Sequence, residues 1–372
     1  MKKLSILINS LDGGGAERVV SLLINSLQNK YEIVLVLMND SILYEIPEGV
    51  KIFYIDNGAD KKGNLIKLLK LPILGYRYSK LCKDLLIDFS TSFTYRPNFI
   101  NVIAKLFRSK SKCIVSERSM PSLTYEGLNI SSILGRYLVS YLYSRADLIL
   151  PNSKAASTDL IKNFKINPKK IKVIQNPNDI NKVISMGKRN VESFFFNSKF
   201  TFISVSRLEE NKNHEITIRA FAQLYDDNAQ LLIIGKGPLK KSLNSLIKCL
   251  GMENKIHIMG FTKNPFKYMA KSDCFILSSK REGFPNVLLE ALACGLFLVS
   301  SNCKGGSNEI INDKKLGLLY ETGNIGSLVD IMKFCIRNRD TLKNPKKKLE
   351  KIKQFNIVKI SNKFCNVIEN LK

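Results

Sequence analysis

Residues 281–295 read Arg-Glu-Gly-Phe-Pro-Asn-Val-Leu-Leu-Glu-Ala-Leu-Ala-Cys-Gly and follow an apolar run. This order predicts a buried strand, a short loop and a helix with Pro285 in its first turn and Gly295 at its end. Glu282 would lie in the loop, and Glu290 one to two turns inside the helix. The helix start offers free N–H groups and the positive end of a dipole, so this loop of an α/β sheet suits an anionic ligand.

The composition indicates a globular protein that is large enough for two domains. The chain has 372 residues, of which 45% are hydrophobic and 24% charged, so each half can bury its own core. The eight cysteines are scattered without a Cys-x-x-Cys pair, and there are two histidines. This usage argues against a structural zinc site and predicts reduced thiols in the cytoplasm.

The net charge of +26 favours an anionic partner. Anionic membrane surfaces, anionic substrates and nucleic acids all fit such a charge, and a general bias towards Lys, Asn and Ile would raise it without any partner. A nucleic-acid-binding protein should show exposed aromatic residues beside the charge. The chain has no Trp and no recognisable nucleic-acid motif, so we expect no nucleic-acid partner.

No apolar run in the sequence approaches the length of a bilayer-spanning helix. Residues 1–8 resemble the start of a signal peptide, but the charged residues Glu17 and Arg18 follow in place of a cleavage site. Any contact with a membrane is therefore expected to be peripheral.

A glycine-rich turn at residues 13–15 lies between a predicted strand at residues 4–9 and a predicted helix at residues 16–27. Glycines let a backbone approach a ligand phosphate, although tight strand-to-helix turns need glycine for geometry alone. The fingerprint Gly-x-Gly-x-x-Gly is broken, because Arg18 occupies the third glycine's place. This break disfavours a nicotinamide-dependent oxidoreductase.

Residues 61–83 mix apolar side chains with lysines and arginines. Pro72 interrupts the segment, so we expect two short helices or a kink. Residues 61–112 contain 12 Lys or Arg and 2 Asp or Glu, an excess of +10. Such a surface suits anionic lipid, and a core-facing helix with a solvated basic face is an equal alternative.

The second half begins with a predicted strand at residues 200–205, which Arg207 and Lys212 follow ahead of a helix. A guanidinium supplies a planar fork and an ammonium a point charge, so the pair could hold a diphosphate from two sides. Their effect would be largest on a leaving group that gains negative charge. Basic loop residues are usually just solvated, which is the simpler interpretation.

The run at residues 281–295 resembles the retaining glycosyltransferases of family 4, and the resemblance covers nearly the whole chain. It implies the α/β fold called GT-B: two Rossmann-like domains facing across a cleft, with a C-terminal helix returning to the first domain. The expected parts are an acceptor-binding domain at residues 1–185, a donor-binding domain at 198–355 and the returning helix at 356–372. The predicted linker is the polar, Lys-rich segment 181–199.

The resemblance also implies roles for individual residues. Arg207, Lys212 and Glu282 are the expected catalytic residues, with the two cations on the departing diphosphate and Glu282 against the donor sugar. Two carboxylates could also be the acid and nucleophile of a hydrolase, but a donor-binding cradle fits the nearby cations better. Glu290 would hold the ribose hydroxyls of the donor. The expected donor-binding residues are Gly14, Gly15, Gly283, Phe284, Asn286, Val287 and Glu290.

The acceptor side departs from the family pattern. Arg118 stands where many members have a histidine, so no histidine role is assigned. Glu117, Arg118 and Ser119 are the acceptor-side candidates, with a simple exposed turn as the alternative. The chain has no Asp-x-Asp motif, and GT-B enzymes characteristically need no bound metal, so we expect neither a metal site nor a cofactor.

Residues 37–40, 44–48, 150–154 and 264–271 are similar to one branch of the family. That branch contains N-acetylgalactosaminyltransferases that extend an undecaprenyl-diphosphate-linked glycan for bacterial N-linked glycosylation. The similarity implies retaining transfer of GalNAc from UDP-GalNAc, or another UDP-sugar, to form an α-linkage on a lipid-linked saccharide.

The implied partners are the lipid-linked oligosaccharide and the anionic inner leaflet. The protein would then be cytoplasmic and peripherally associated with the inner face of the cytoplasmic membrane. The nearest rival is a family-4 hexosyl- or HexNAc-transferase of lipopolysaccharide, capsule or O-antigen synthesis. A non-catalytic basic binding protein is a more distant one, and the sequence leaves the oligomeric state open.

Overall fold

The computed structural model describes four stretches of the chain, residues 1–56, 64–191, 199–342 and 344–371. Within it, the chain divides into two compact units. The first comprises Met1–Pro177 with Ile357–Lys372, and the second comprises Asn178–Asn356. Each unit contains one six-stranded sheet.

The strands of the first sheet are Lys2–Ile8 (β1), Tyr31–Leu37 (β2), Lys51–Tyr54 (β3), Phe89–Phe93 (β4), Lys112–Glu117 (β5) and Leu148–Pro151 (β6). They are parallel throughout and lie in the order β3-β2-β1-β4-β5-β6. β1 and β2 are apolar and almost wholly buried, as expected of strands covered on both faces. The direction of strand addition reverses between β1 and β4, which is the switch point of this sheet.

The helices of the first unit are Gly15–Leu27 (α1), Asn64–Leu69 (α2), Leu71–Asp84 (α3), Tyr95–Leu106 (α4), Pro121–Thr124 (α5), Ile130–Tyr143 (α6) and Lys154–Phe164 (α7). α1 buries Val19, Val20 and Leu23 on one face, the spacing that predicted it. The expected break at Pro72 is confirmed. α2 ends at Leu69, and Pro72 is the second residue of α3, where a missing N–H costs nothing.

The sequence pattern does not predict β4, because Phe-Ser-Thr-Ser-Phe contains no apolar run. Asn101 of α4 pairs the two buried serines of this strand, Ser90 and Ser92. The Asn101 amide donates to Ser90 O at 2.9 Å and to Ile114 O at 3.1 Å, and it accepts from Ser90 Oγ at 2.8 Å. A polar strand is stable here because a side chain from another element pairs its buried groups.

The strands of the second sheet are Phe200–Val205 (β7), Ala229–Ile234 (β8), Ile256–Gly260 (β9), Cys274–Leu277 (β10), Phe297–Ser301 (β11) and Gly317–Tyr320 (β12). They are also parallel, in the order β12-β11-β10-β7-β8-β9. The switch point of this sheet lies between β7 and β10.

The helices of the second unit are Ile180–Gly187 (α8), His214–Ala222 (α9), Lys240–Cys249 (α10), Phe266–Met269 (α11), Asn286–Ala293 (α12), Ser307–Ile310 (α13), Ile325–Arg337 (α14) and Pro345–Lys353 (α15). They pack on both faces of the sheet. Two hydrophobic clusters result, one built around Phe202 and Ile233 and the other around Phe275 and Leu288.

Two local predictions are wrong. Residues 181–187 belong to α8 in the second unit rather than to a linker, because Ile180, Val183 and Gly187 recur at helical spacing and are buried. The other part of the predicted linker, residues 192–198, lies outside the described residues. The sequence Ile-Lys-Val-Ile-Gln at residues 171–175 also predicts a strand, but these residues do not form one, and Ile171 makes an isolated bridge to β6.

The chain ends with Ile357–Glu369 (α16), which packs on α1 of the first unit. Lys30 Nζ donates to Asn362 Oδ1 at 2.8 Å, and the Tyr31 hydroxyl donates to Glu369. The prediction of two Rossmann-like sheets with a returning C-terminal helix is confirmed. Among the described residues, every helix is too short or too polar to cross a bilayer.

Candidate functional site

The loops after β7 and β10 lie next to each other at the carboxyl edge of the second sheet. β7 pairs directly with β10, while β8 and β11 lie on their outer sides. Ligands of open α/β sheets bind beyond the carboxyl ends of strands at such a switch point. Arg207 and Lys212 follow β7, and Glu282 follows β10, so all three predicted catalytic residues lie at this edge.

Lys212 and Glu282 form an ion pair across the switch point. Lys212 Nζ lies 2.5 Å from Glu282 Oε1, and the two side chains are only 18% and 12% exposed. A partly buried, charge-assisted hydrogen bond of this kind is screened less than a surface ion pair. It holds the ammonium in one place at the edge where a ligand would bind.

Three further hydrogen bonds join the same two loops. Asn211 Nδ2 donates to Arg281 O at 3.0 Å, Lys280 N donates to Asn211 O at 2.8 Å, and Ser278 Oγ donates to Lys212 O at 2.8 Å. The loops after β7 and β10 are therefore hydrogen-bonded to each other around the ion pair. This arrangement makes the pair a preorganised feature of the second unit.

Arg207 differs from Lys212 in its exposure. Its side chain is 69% exposed and pairs with Glu209 Oε1 at 3.0 Å, a surface contact that stabilises by about 0–1 kcal/mol. The backbone beneath it is held closely, because a Cβ on Gly235 would lie 1.8 Å from Ser206 O. Arg207 thus combines a fixed backbone with a guanidinium that can turn towards a ligand at little cost.

His214 lies directly behind this loop. Its Nε2 is 2.8 Å from Ser206 Oγ, and the side chain is 2% exposed. Burial, with a smaller contribution from the Lys212 charge, lowers the His214 pKa to about 4, so the imidazole is neutral at pH 7. Sequence reasoning assigned this residue no role, although its position at a helix start two residues after Lys212 was a usable signal.

α12 carries the second carboxylate of the opening motif. Glu290 lies in the middle of the helix and is 6% exposed, while Asn286 and Val287 at its start are partly exposed. Pro285 precedes the helix rather than opening its first turn, because its backbone is extended. Gly295 has a φ of +87° directly after the C-cap residue Cys294, so the predicted helix end is confirmed.

The residues between Glu282 and α12 pack against the loop after β11. Gly306 N donates to Gly283 O at 2.9 Å. A Cβ on Gly305, whose φ is +143°, would lie 1.8 Å from Glu282 O, so only glycine fits. Phe284 is 5% exposed, and its ring packs on Phe355 with centroids 5.5 Å apart. Its ring therefore anchors the loop in the core.

Glu117 is buried at the end of β5 in the first unit. It is 1% exposed and accepts hydrogen bonds from the Tyr143 hydroxyl at 2.8 Å and from Arg118 N, Ser119 N and Ser119 Oγ at 2.9 Å each. Burial raises its pKa to about 7. The alternative of a simple exposed turn is wrong, because this carboxyl is enclosed and bonded on both oxygens.

Arg118 is likewise held by several partners. One guanidinium nitrogen donates to Asn176 Oδ1 at 2.8 Å, another donates to Ser116 Oγ, and the group lies 4.8 Å from the Phe93 ring centroid. Burial lowers the Arg118 pKa to about 9. The three acceptor-side candidates thus form one connected polar cluster.

Gly14 and Gly15 lie at the carboxyl edge of the first sheet, at the start of α1. Gly14 is the extended residue before the helix. Apart from its chain neighbours and the α1 backbone, no atom of the described residues lies within 4 Å of a Cβ built on Gly15. Asn9 Nδ2 donates to Thr94 Oγ1 at 3.2 Å and links the ends of β1 and β4 beside them. These glycines follow β1 at the switch point of their own sheet.

The described residues contain no group of three or more His, Cys, Asp or Glu side chains that could hold a metal ion. All eight cysteines are free thiols, and six of them are buried.

Two family models match the chain, one in each half. Residues 13–182 match the model described as Glycosyltransferase Family 4, and residues 188–352 match the model described as Glycosyl transferases group 1.

Two relatives in Campylobacter jejuni match nearly end to end. The N-acetylgalactosamine-N,N'-diacetylbacillosaminyl-diphospho-undecaprenol 4-alpha-N-acetylgalactosaminyltransferase is 42% identical over 362 residues, which cover 97% of this chain and 98% of the relative. The GalNAc-alpha-(1->4)-GalNAc-alpha-(1->3)-diNAcBac-PP-undecaprenol alpha-1,4-N-acetyl-D-galactosaminyltransferase is 26% identical, with coverage of 100% and 99%.

Among solved structures, Anabaena Alr3699/HepE in complex with UDP and glucose matches with a TM-score of 0.82. The identity is 21%, and the match covers 100% of both chains. This likeness supports the two-sheet fold described above.

Proposed function

The chain belongs to glycosyltransferase family 4 and has the GT-B fold, and on this premise we propose that it transfers GalNAc from UDP-GalNAc to an undecaprenyl-diphosphate-linked saccharide. The transfer would retain the anomeric configuration, give an α-linkage and serve protein N-glycosylation. The support is the end-to-end 42% identity to a relative named for GalNAc transfer to a diphospho-undecaprenol acceptor. A second relative of full length is named for the same sugar.

The observation that carries the proposal is the Lys212–Glu282 pair at the switch point of the second sheet. A sugar nucleotide presents a diphosphate, which needs cations, and sugar hydroxyls, which a carboxylate can accept. Lys212 and Glu282 offer these two groups at one point. The UDP in the HepE structure of the same fold supports a uridine diphosphate as the donor's leaving group.

We assign the chemistry to the departing diphosphate and the groups that hold it. The bond between the sugar C1 and the diphosphate oxygen breaks, and the acceptor oxygen bonds C1 on the same face. The acceptor hydroxyl's proton passes to the leaving diphosphate oxygen. Arg207 and Lys212 stabilise the negative charge that develops on the diphosphate, while Glu282 orients Lys212 and the donor sugar.

The remaining donor residues take distinct parts in this proposal. Glu290 accepts hydrogen bonds from the ribose hydroxyls, and Asn286 and Val287 with Gly283 line the start of α12. Phe284 acts indirectly by anchoring the loop. The contact of Gly14 and Gly15 with the diphosphate stays a prediction.

The acceptor is proposed to bind the first unit. Arg118 and Ser119 would contact its saccharide or diphosphate, and Glu117 would hold both of them in place through the hydrogen bonds that it accepts.

A donor screen tests the proposed sugar. With purified protein and an undecaprenyl-diphosphate-linked saccharide, we expect transfer from UDP-GalNAc and at least about tenfold less from UDP-glucose, which lacks the N-acetyl group that a fitted site would contact. Mass spectrometry gives the mass of the added sugar, and the proton coupling constant of its anomeric centre gives the linkage. Transfer of glucose but not GalNAc, or a β-linked product, would overturn the proposal and favour synthesis of another lipid-linked glycan.

We also propose that one face of α3 lies on an anionic membrane. Ile73 and Tyr76, each 58% exposed, are followed at helical spacing by the exposed Lys80 and Lys83. The Tyr76 ring packs on the ring of Phe107, which is 41% exposed. Apolar and basic side chains on one helix face fit a surface that is negatively charged outside and apolar beneath, which supports a peripheral location at the inner leaflet.

Vesicle flotation tests this face. Wild type is expected to float with phosphatidylglycerol-containing vesicles and to be released by high salt. Changing Lys80 and Lys83 together to Gln should weaken binding about 30-fold, since each basic residue near the surface contributes about 1 kcal/mol. Tyr225→Glu is the control and should float like wild type. Tyr225 is 88% exposed beside Asp226 and Asp227 and does not belong to the α3 face. Equal flotation with phosphatidylcholine vesicles, or no loss in the double variant, would refute the assignment.

A further inference from the structure

We propose that residues 345–355, here called the α15 strap, position the donor site by holding α12, α13 and the loop between Glu282 and α12 at three separate points. The inference rests on the proposed function in one respect, namely that this loop and α12 bind the sugar nucleotide. It adds three residues, Lys348, Lys351 and Phe355, which no motif in the sequence singles out.

The first point is the end of α12. Lys348 is 3% exposed, and its Nζ donates to Gly295 O at 2.7 Å and to Leu342 O at 3.0 Å. Gly295 directly follows the C-cap residue of α12, beside the last carbonyls of the helix, which lack intrahelical partners and attract a cation. Burial lowers the Lys348 pKa to about 8, as expected of an ammonium that gives up solvation to reach this carbonyl.

The second point is the end of α13. Lys351 is 7% exposed, and its Nζ donates to Glu309 O at 2.6 Å and to Asn312 Oδ1 at 2.9 Å. α13 follows the turn whose Gly306 N–H binds Gly283 O. Lys351 is therefore connected to the donor loop through one short helix.

The third point is the loop itself. Phe355 is 6% exposed and packs its ring on Phe284, two residues after Glu282. Phe355 O in turn accepts a hydrogen bond from Asn178 N at 2.8 Å, and the Lys351 ammonium lies 5.6 Å from the Phe355 ring centroid. Phe355, the last residue of the α15 strap, thus holds the Phe284 ring in place.

The choice of residues on the strap favours positioning over simple packing. Lys348 is buried, while its neighbour Leu349 is 42% exposed. Burying an ammonium costs free energy, and apolar residues in such places are often equally stable or more so. Two buried lysines that each bond the end of a donor-site helix are therefore poorly explained by core stability alone.

The test compares donor affinity with stability. Lys348→Met keeps an unbranched side chain as far as the ε position and removes the ammonium with its hydrogen bonds. We expect it to stay folded, with a melting temperature near that of wild type, because relief from burying an ammonium offsets the loss of a donor for the two carbonyls. UDP should bind about tenfold more weakly by calorimetry, a change of ~1.4 kcal/mol. KM for the UDP-sugar should rise in proportion while kcat changes by less than about twofold. Lys351→Met, which breaks the second point, should likewise weaken UDP binding and raise KM while kcat and the melting temperature stay near those of wild type.

Lys346→Met is the matched control, because Lys346 is exposed on the same helix, and it should leave UDP affinity unchanged. Normal UDP affinity in Lys348→Met and Lys351→Met would overturn the strap, as would a fall in melting temperature with kcat and KM unaffected. A wild-type protein that binds no UDP would instead overturn the proposed function.

Discussion

Lys212→Met is expected to lower kcat about 100- to 1,000-fold, the range observed when one preorganised charge stabiliser is removed from an active site. Lys212 lies at the switch point of the second sheet and is held by Glu282 at 2.5 Å. In the proposed reaction its ammonium meets the diphosphate most strongly when the glycosidic bond has broken, so the loss falls on kcat more than on UDP affinity. Initial rates at saturating donor and lipid-linked acceptor measure it.

Lys280→Met serves as the control, because Lys280 is an exposed lysine of the β10 loop that contributes a backbone hydrogen bond to Asn211. Its kcat should stay near that of wild type. A kcat for Lys212→Met within about threefold of wild type would remove Lys212 from the mechanism. Glu282→Gln, alone and combined with Lys212→Met, then shows by non-additivity how much of the effect belongs to the pair.

Glu290→Gln is expected to weaken UDP binding about 30-fold, since hydrogen bonds to a charged group contribute about 1.5–3 kcal/mol. Glu290 is buried in the middle of α12, so its carboxylate can accept from hydroxyls without competition from bulk water. The amide of glutamine has one acceptor oxygen in place of two. Calorimetric titration with UDP measures the change.

A ligand without the ribose hydroxyls separates direct contact from a general effect on α12. We expect 2′,3′-dideoxy-UDP to bind wild type and Glu290→Gln with nearly equal affinity. If the variant loses the same factor with this ligand as with UDP, Glu290 acts through the helix rather than through the ribose.

Periodicity predicted individual strands and helices, whereas the two-domain fold was implied by the resemblance to family 4. Apolar runs predicted β1, β7 and β10, the glycines at residues 13–15 marked the turn before α1, and Pro285 and Gly295 marked the ends of α12. The pattern does not predict β4, because its buried serines are paired by Asn101, a partner that pattern alone does not reveal. α8 was not predicted, because the polar, Lys-rich composition of residues 181–199 obscured the buried spacing of Ile180 and Val183.

At the candidate site, the motif around Glu282 and the basic residues after β7 could be identified from residue type and order. The pairing of Lys212 with Glu282 could not be predicted, because these residues are 70 positions apart and meet only when β7 pairs with β10. Phe284 was expected to contact the donor, but nothing local to the sequence shows that Phe355 lies beneath it.

Local order and periodicity determined the alternation of strands and helices, the glycine turns and the identity of the charged residues after each strand. Long-range packing decided which of these charged side chains form ion pairs and which are buried in the core. Lys348 and Leu349 show why: hydropathy places the leucine inside, yet the lysine is buried, because the end of α12 supplies a carbonyl that needs a donor. Hydropathy belongs to a residue, whereas the hydrogen-bond partner that decides burial belongs to another element of the fold.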